Sequence, residues 1–367
     1  MIKKLLSVVL VLAMILSFTA CGNSKETSGQ PNSKETNKTD STEDSKSDDS
    51  KSRIALVFSG NLGDKSYNDS CYAGAMKAVD EFDVELKTLE GTEASEWKAN
   101  FLAVAEEGYD LIICSSSNFQ EYMKEYCSSY PETKFAIIDT TVEGDNIVSV
   151  SFAQNQGSFL AGAAAAMFTM KSDIEGVNDE NVIGWVGGMD IPVLHDFYIG
   201  YEQGAKYIDP EITILQSFAG TWNDPLKGKE LTLAQYQQGA DIVMNVASGT
   251  GTGILEAAGE AGKYAIGVDL NQDNDKPGSV LTSMLKRVDS ACYLLIKAVV
   301  EDTFEGGTKQ YLTVADKGVS LTDMSVIKEA LGDKFPEDIL TKVNELQEKI
   351  ISGEIVVENY EGFGPEK

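Results

Sequence analysis

Four clusters of glycine and small polar residues, each directly behind an apolar run, are where this chain could do chemistry. Residues 59–68, which include Asp64, Ser66 and Asn68, follow the run at 54–58, and Gly187-Gly188-Met189-Asp190 follows 182–186. Residues 247–253 (ASGTGTG) follow 242–246, and Asp269 follows 264–268. Carboxylates, hydroxyls and amides at such points can exchange hydrogen bonds with a hydroxylated small molecule, and glycine lets the backbone come close to it. Other chemistries find little support. The single histidine, His195, stands beside Leu194 and Asp196 with no GxSxG elbow or HExxH pair, so no hydrolase machinery is expected. Asp64, Asp190 and Asp269 could suggest paired glycosidase carboxylates, but the surrounding glycine loops fit binding better. The stretch 249–253 (GTGTG) imitates a dinucleotide fingerprint, yet its third glycine would fall on Ile254 or Glu256. No GxxxxGK[ST] run is present, so no cofactor and no bound ATP are expected.

Something must bring those clusters together. Strand-like runs at 54–58, 111–114, 135–138 and 147–150 alternate with helical spacing at 73–82, 96–107 and 120–129. The alternation then restarts, with runs at 182–186, 212–215, 242–246 and 264–268 and helices near 193–208, 226–238 and 252–262. Apolar strands alternating with helices imply parallel sheets covered on both faces. Two such units in succession imply an α/β chain of two Rossmann-like lobes facing across a cleft, with ligands held beyond the carboxyl ends of the strands. A helix at 288–300 would pack back on the first lobe, and amphipathic segments at 323–331 and 338–351 end the chain.

Composition narrows the partners. The formal net charge is −28, which disfavours neutralisation of nucleic-acid phosphates and docking on anionic lipid. Cys71, Cys114, Cys127 and Cys292 lie far apart without a CxxC pair, so a zinc site is not expected. A pair could oxidise in an exported chain, yet Cys114 lies in an apolar run and reads as a buried thiol.

The beginning of the chain indicates export. Lys3 and Lys4 precede an apolar run from Leu5 to Phe18, which ends in Thr19-Ala20-Cys21. Small residues before a cysteine resemble a lipoprotein signal, with residues 1–20 removed and Cys21 carrying the lipid. The apolar run is shorter than the roughly 20 residues needed to span a bilayer. Residues 21–52 then lack large apolar side chains and are expected to form a disordered tether. A tether of about 30 residues has an end-to-end distance near 30 Å.

Read in order, the clusters resemble one family. The matching blocks are Gly63 to Asn68 with Tyr72 and Gly74, Gln156 to Gly162, Ile183 to Met189, Pro192, Phe197 and Gly200 to Gly204. They continue with Gly239 to Ile242, Gly249 to Gly253, Ile266 to Asp269, Val280 to Ser283 and Lys286. This ordered set resembles the basic membrane protein family, the PnrA-like nucleoside-binding lipoproteins of ABC transporters. The resemblance implies a type I periplasmic-binding-protein fold whose lobes are joined by a hinge of three crossovers. It places the N-terminal lobe at 53–153 and 286–310 and the C-terminal lobe at 154–285 and 311–367.

The resemblance also implies a purine nucleoside as ligand. Tyr72 and Trp222 would stack on the base, at roughly 1–3 kcal/mol per face. Asp269 would accept from the ribose hydroxyls and Lys286 would donate, both with charge assistance. Gly251 would admit the sugar to the backbone. Asp64, Ser66 and Asn68 would read base edges or fix the first loop, and Met189 lies in a matching block. Gln154, after Phe152, leaves the base preference open. The implied partners are an ABC permease with its ATPase subunits, and the membrane through lipid on Cys21; the chain is expected to act as a monomer. A sugar or other small polar solute on the same scaffold, or a ligand-sensing or adhesin lipoprotein, are the competing readings.

Overall fold

The computed structural model describes residues 51–364. The signal-like start, Cys21 and the tract up to residue 50 lie outside the described residues.

The chain opens with β1 (Ser52–Val57), α1 (Tyr67–Glu81), β2 (Val84–Leu89), α2 (Ala94–Glu106), β3 (Leu111–Cys114), α3 (Gln120–Tyr126), β4 (Lys134–Ile138) and β5 (Ile147–Phe152). It continues through α4 (Gln154–Thr169), β6 (Val182–Gly187), α5 (Pro192–Ile208), β7 (Thr213–Phe218), α6 (Pro225–Gln237), β8 (Ala240–Val246), α7 (Gly251–Ala261), β9 (Tyr264–Asp269) and β10 (Val280–Lys286). It closes with α8 (Val288–Val300), β11 (Lys309–Leu312), β12 (Val319–Leu321), α9 (Ser325–Leu331) and α10 (Glu337–Ile351). Two six-stranded sheets result, ordered β11-β5-β4-β3-β1-β2 and β12-β10-β9-β8-β6-β7. Every pairing is parallel except β10 with β12. These are the two Rossmann-like lobes expected from the alternation.

Register decides where chemistry can happen. Val57 pairs with Cys114 and Cys114 with Ile137, so the segments after β1, β3 and β4 emerge at one edge of the first sheet. In the second sheet Gly187 pairs with Val246, and Asp269 pairs with Leu285, which sets Lys286 one residue beyond Asp269. The chain crosses between sheets after Phe152, Lys286 and Leu312, the last point lying beyond the expected boundary at 310. The crossovers are tied together: Ala153 N donates to Leu312 O at 2.8 Å and Arg287 N to Gly318 O at 2.9 Å.

Some elements differ from the sequence reading. α1 begins at Tyr67 rather than 73, because the Asp64 carboxylate accepts the Ser66, Asn68 and Asp69 amides at 3.0, 2.9 and 3.1 Å. That satisfies amide donors which a helix start otherwise leaves open. α4 was not expected as a helix. Nearly all of it is buried, including Ala163 to Ala166, so it lacks the polar face that marks a surface helix. Strands β2, β10, β11 and β12 were also unread. β2 is an edge strand carrying Glu85 and Lys87, the charged type that discourages further pairing. α8 does pack on α1, so closely that a Cβ on Gly74 would lie 2.0 Å from the Asp289 carbonyl oxygen. Cys71, Cys114, Cys127 and Cys292 are all buried free thiols. Among the described residues no helix is long and apolar enough to cross a membrane.

Candidate functional site

A cavity of about 530 Å³ lies between the facing edges of the two sheets. The first lobe contributes Ser59, Gly60, Tyr67, Asn68, Trp97 and Asp139 to its wall. The second contributes Met189, Leu194, Phe197, Trp222, Asp269 and Lys286. The cavity wall thus brings Asn68, Met189, Trp222, Asp269 and Lys286 together.

Trp222 is positioned by a glycine: a Cβ on Gly188 would lie 2.3 Å from the indole. Only glycine lets the ring rest against that backbone. Lys286 is buried inside an aromatic cage, its ammonium 5.5, 5.4 and 5.3 Å from the ring centres of Tyr67, Phe152 and Phe197. Its Nζ donates to Asp139 Oδ2 at 2.7 Å. The quadrupoles of the rings favour the cation, and Asp139 supplies the counter-charge.

Asp269 is 7% exposed. Its Oδ2 accepts the Ser66 hydroxyl at 2.5 Å. Burial pushes its carboxyl up to about 7, against the opposing pull of the Ser66 hydroxyl and the Lys286 ammonium, while Asp64 and Asp139 push it further up. The site thus holds a carboxyl that titrates near neutrality beside one locked to a lysine.

Asp64 and Ser66 lie behind the cavity wall, where they join the lobes. Ser248 Oγ donates to Asp64 Oδ2 at 2.7 Å, and Gln272 Nε2 donates to Lys65 O at 2.9 Å. With the Ser66–Asp269 and Lys286–Asp139 contacts, these bonds bind the edge of one sheet to the other, so the conformation is closed. Lys65, Asp139, Ser248 and Asp269 all adopt left-handed backbone, with φ of 52, 66, 50 and 64°. Such conformations cost energy for residues with a side chain, and their concentration along one cleft is typical of a binding site.

Other expected residues have different surroundings. Tyr72 is half-buried on α1 and packs against the core rather than lining the cavity. Tyr67, five positions earlier, is the aromatic that faces it, with its hydroxyl donating to Ser115 O at 2.6 Å. Gly251 starts α7, and a Cβ there would lie 2.2 Å from Asn245 Oδ1, so its need for glycine is internal packing. Gln154 is buried at the first crossover, where Nε2 donates to Asp196 Oδ2 at 2.7 Å. Asp190 pairs with His195 at 2.7 Å.

Asp139 and Tyr67 were missed as site residues, though signals existed. Asp139 directly follows an apolar strand, the same position that singled out Asp269, and Tyr67 lies inside the Gly63–Asn68 block. Trp97 was missed for a better reason. It is placed by α2, and its indole donates to Gly91 O at 2.7 Å, an arrangement no local pattern announces.

Residues 51–361 match the family model described as ABC transporter substrate-binding protein, PnrA-like. The chain belongs to this family. It is 30% identical to basic membrane protein A of Borreliella afzelii over 322 residues, covering 85% of this chain and 94% of the relative. It is 31% identical to an uncharacterised lipoprotein of Pyrococcus abyssi over 351 residues, 85% of each chain. Among solved structures, an ABC transporter solute-binding protein of Aeropyrum pernix K1 superposes with a TM-score of 0.78 at 30% identity, covering 84% of this chain and 94% of that one. The protein is thus an ABC transporter substrate-binding protein with a periplasmic-binding-protein fold. Its cleft contains the features of a binding site.

Proposed function

We propose that this substrate-binding protein captures a purine nucleoside between its lobes and delivers it to the permease of an ABC importer, while anchored outside the cell membrane by lipid on Cys21. The observation that supports this most is the meeting, in one cavity, of aromatic rings from both lobes with a buried carboxyl. Tyr67 and Trp222 face the cavity from opposite lobes. They suit a base, with stacking worth roughly 1–3 kcal/mol per ring. Ser66 engages only one oxygen of Asp269, so Oδ1 is available to a ribose hydroxyl. Asn68 and the Asp139–Lys286 pair supply further donors and acceptors at the wall.

Charge argues for a nucleoside over a nucleotide. Asp139, Asp269 and Glu93 line the cavity, and its one lysine, Lys286, is already paired. A phosphate there would meet carboxylates without a free cation. The ligand bridges two lobes and so favours the closed form. One nucleoside per chain should bind with a dissociation constant between about 10 nM and 10 μM, roughly −11 to −7 kcal/mol.

Thermal shifts of the refolded, ligand-stripped protein test the reading. At 100 times Kd a ligand adds about 2.7 kcal/mol of stability. Inosine, guanosine or adenosine should stabilise, whereas ribose, free bases and nucleoside monophosphates should not. A response to sugars alone would replace the ligand, and silence throughout would turn the reading towards a sensing or adhesive surface protein.

A further inference from the structure

Residues 357–360 return to the hinge instead of lying on the surface of one lobe. After α10, Val357 is buried in the core, and the next residues run along the crossovers. Asn155 Nδ2 donates to Val357 O at 3.0 Å, just after the first crossover. Gln203 of α5 holds Glu358 in both directions: its Nε2 donates to Glu358 O at 3.0 Å, and its Oε1 accepts Glu358 N at 2.9 Å. Asp196 Oδ1 accepts Tyr360 N at 2.8 Å, while its Oδ2 accepts from Gln154. All these partners belong to the second lobe. Asn359 Nδ2, in contrast, donates at 2.9 Å to the Tyr311 hydroxyl, on β11 of the first sheet.

The same segment touches the helix that supplies part of the cavity wall. The Tyr360 ring stacks on His195, with centroids 4.9 Å apart and planes 23° from parallel. His195 lies between Leu194 and Phe197, which line the cavity, and pairs with Asp190 beside Met189. The segment is therefore bonded to both lobes, to two of the three crossovers and to the helix that forms one wall of the cleft.

We infer that residues 358–360 form a strap across the hinge that stabilises the closed form of the receptor and slows ligand release. The physical basis is that the Asn359–Tyr311 bond joins the lobes, while the remaining strap bonds anchor it to the second lobe. An interaction made fully in only one of two conformers shifts their equilibrium by its differential free energy. Since residues 358–360 do not line the cavity, the strap acts on residence time through the hinge. The ligand arm of the test rests on the nucleoside reading above; the ligand-free arm does not.

The test compares the full chain with a chain ending at Val357, which keeps the core contact, and with the double substitution Asn359→Ala, Tyr360→Ala. Hydrogen exchange is followed without ligand at the Ala153 and Arg287 amides, both of which bond across crossovers. Removal of the strap should speed their exchange about five-fold or more, because local opening at the hinge becomes easier. Guanosine dissociation should quicken about ten-fold, with association changed less than about two-fold, as is usual when only the bound state is weakened. Unchanged exchange at both amides in both variants would overturn the inference, and so would a lower melting temperature accompanied by unchanged exchange there. If the unaltered chain binds no nucleoside, the ligand proposal fails, and the exchange result alone still decides the strap.

Discussion

Asp139 and Asp269 occupy equivalent places on the two lobes: each stands at the carboxyl end of a parallel strand, each has left-handed backbone and each lines the cleft. Their partners differ. Asp139 faces the Lys286 ammonium at 2.7 Å, whereas Asp269 receives a serine hydroxyl and is pushed up to about 7, chiefly by burial. The same backbone position thus yields a fixed ion pair on one lobe and a titrating acceptor on the other. The difference lies in what the opposite lobe presents, since Lys286 comes from the second sheet and Ser66 from the first. Each carboxylate is completed across the cleft, so closure and site assembly are one event.

Three substitutions test this contrast. The largest effect is expected from Lys286→Met, which leaves Asp139 buried without its cation. Losing one partner of a buried pair costs about 3–5 kcal/mol, whereas replacing both with apolar side chains is often nearly neutral. Denaturant unfolding should show that loss, and adding Asp139→Leu should restore at least half of it. Next comes Asp269→Ala. Removing a charge-assisted acceptor costs about 1.5–3 kcal/mol. Calorimetry should therefore show nucleosides weakened by about 10- to 100-fold and free bases unaffected. Equal losses for both would remove Asp269 from the ribose.

The smallest effect is expected from Ser66→Ala. This hydroxyl holds the Asp269 carboxyl down, so its loss should move the titration upward. The sign of the pH dependence follows from the raised value. In the ligand-free fold Asp269 keeps its proton up to about 7, so its contribution to stability is present at low pH and lost as pH rises through about 7. A ligand that needs the carboxylate acts in the opposite sense: its affinity should fall below pH 7, by at most about ten-fold per unit. A pH profile of nucleoside affinity should bend near 7 in the unaltered protein and at higher pH in Ser66→Ala.

Sequence pattern revealed most of this architecture, and the exceptions have physical causes. Apolar β-branched runs marked the buried strands because parallel strands are covered on both faces. The clusters behind them located the cleft, because strand ends are where a doubly wound sheet leaves space. α4 escaped because burial on all sides erases the periodic contrast between faces. β2 escaped because an edge strand needs no continuous apolar run. Within the site, Asp269 and Lys286 stood out through their position after a strand or in an ordered motif, and Trp222 only through the aromatic that the family resemblance implies in the second lobe. Tyr67 and Tyr72 could not be separated by type, since both are tyrosines near one helix start. Only the true start of α1, set by the Asp64 carboxylate, decides which ring faces the cleft. The Asp139–Lys286 pair was equally hidden, because it joins residues 147 positions apart.

The most direct test is titration calorimetry of guanosine at pH 6.5, in buffers of different ionisation enthalpy, for the unaltered protein and for Asp269→Asn. Binding with a stoichiometry of one, release of a substantial fraction of a proton from the unaltered protein, and weaker, proton-neutral binding to Asp269→Asn are the results predicted here. Equal affinity and equal proton exchange in the two proteins, or no binding of any purine nucleoside to the unaltered one, would contradict the account.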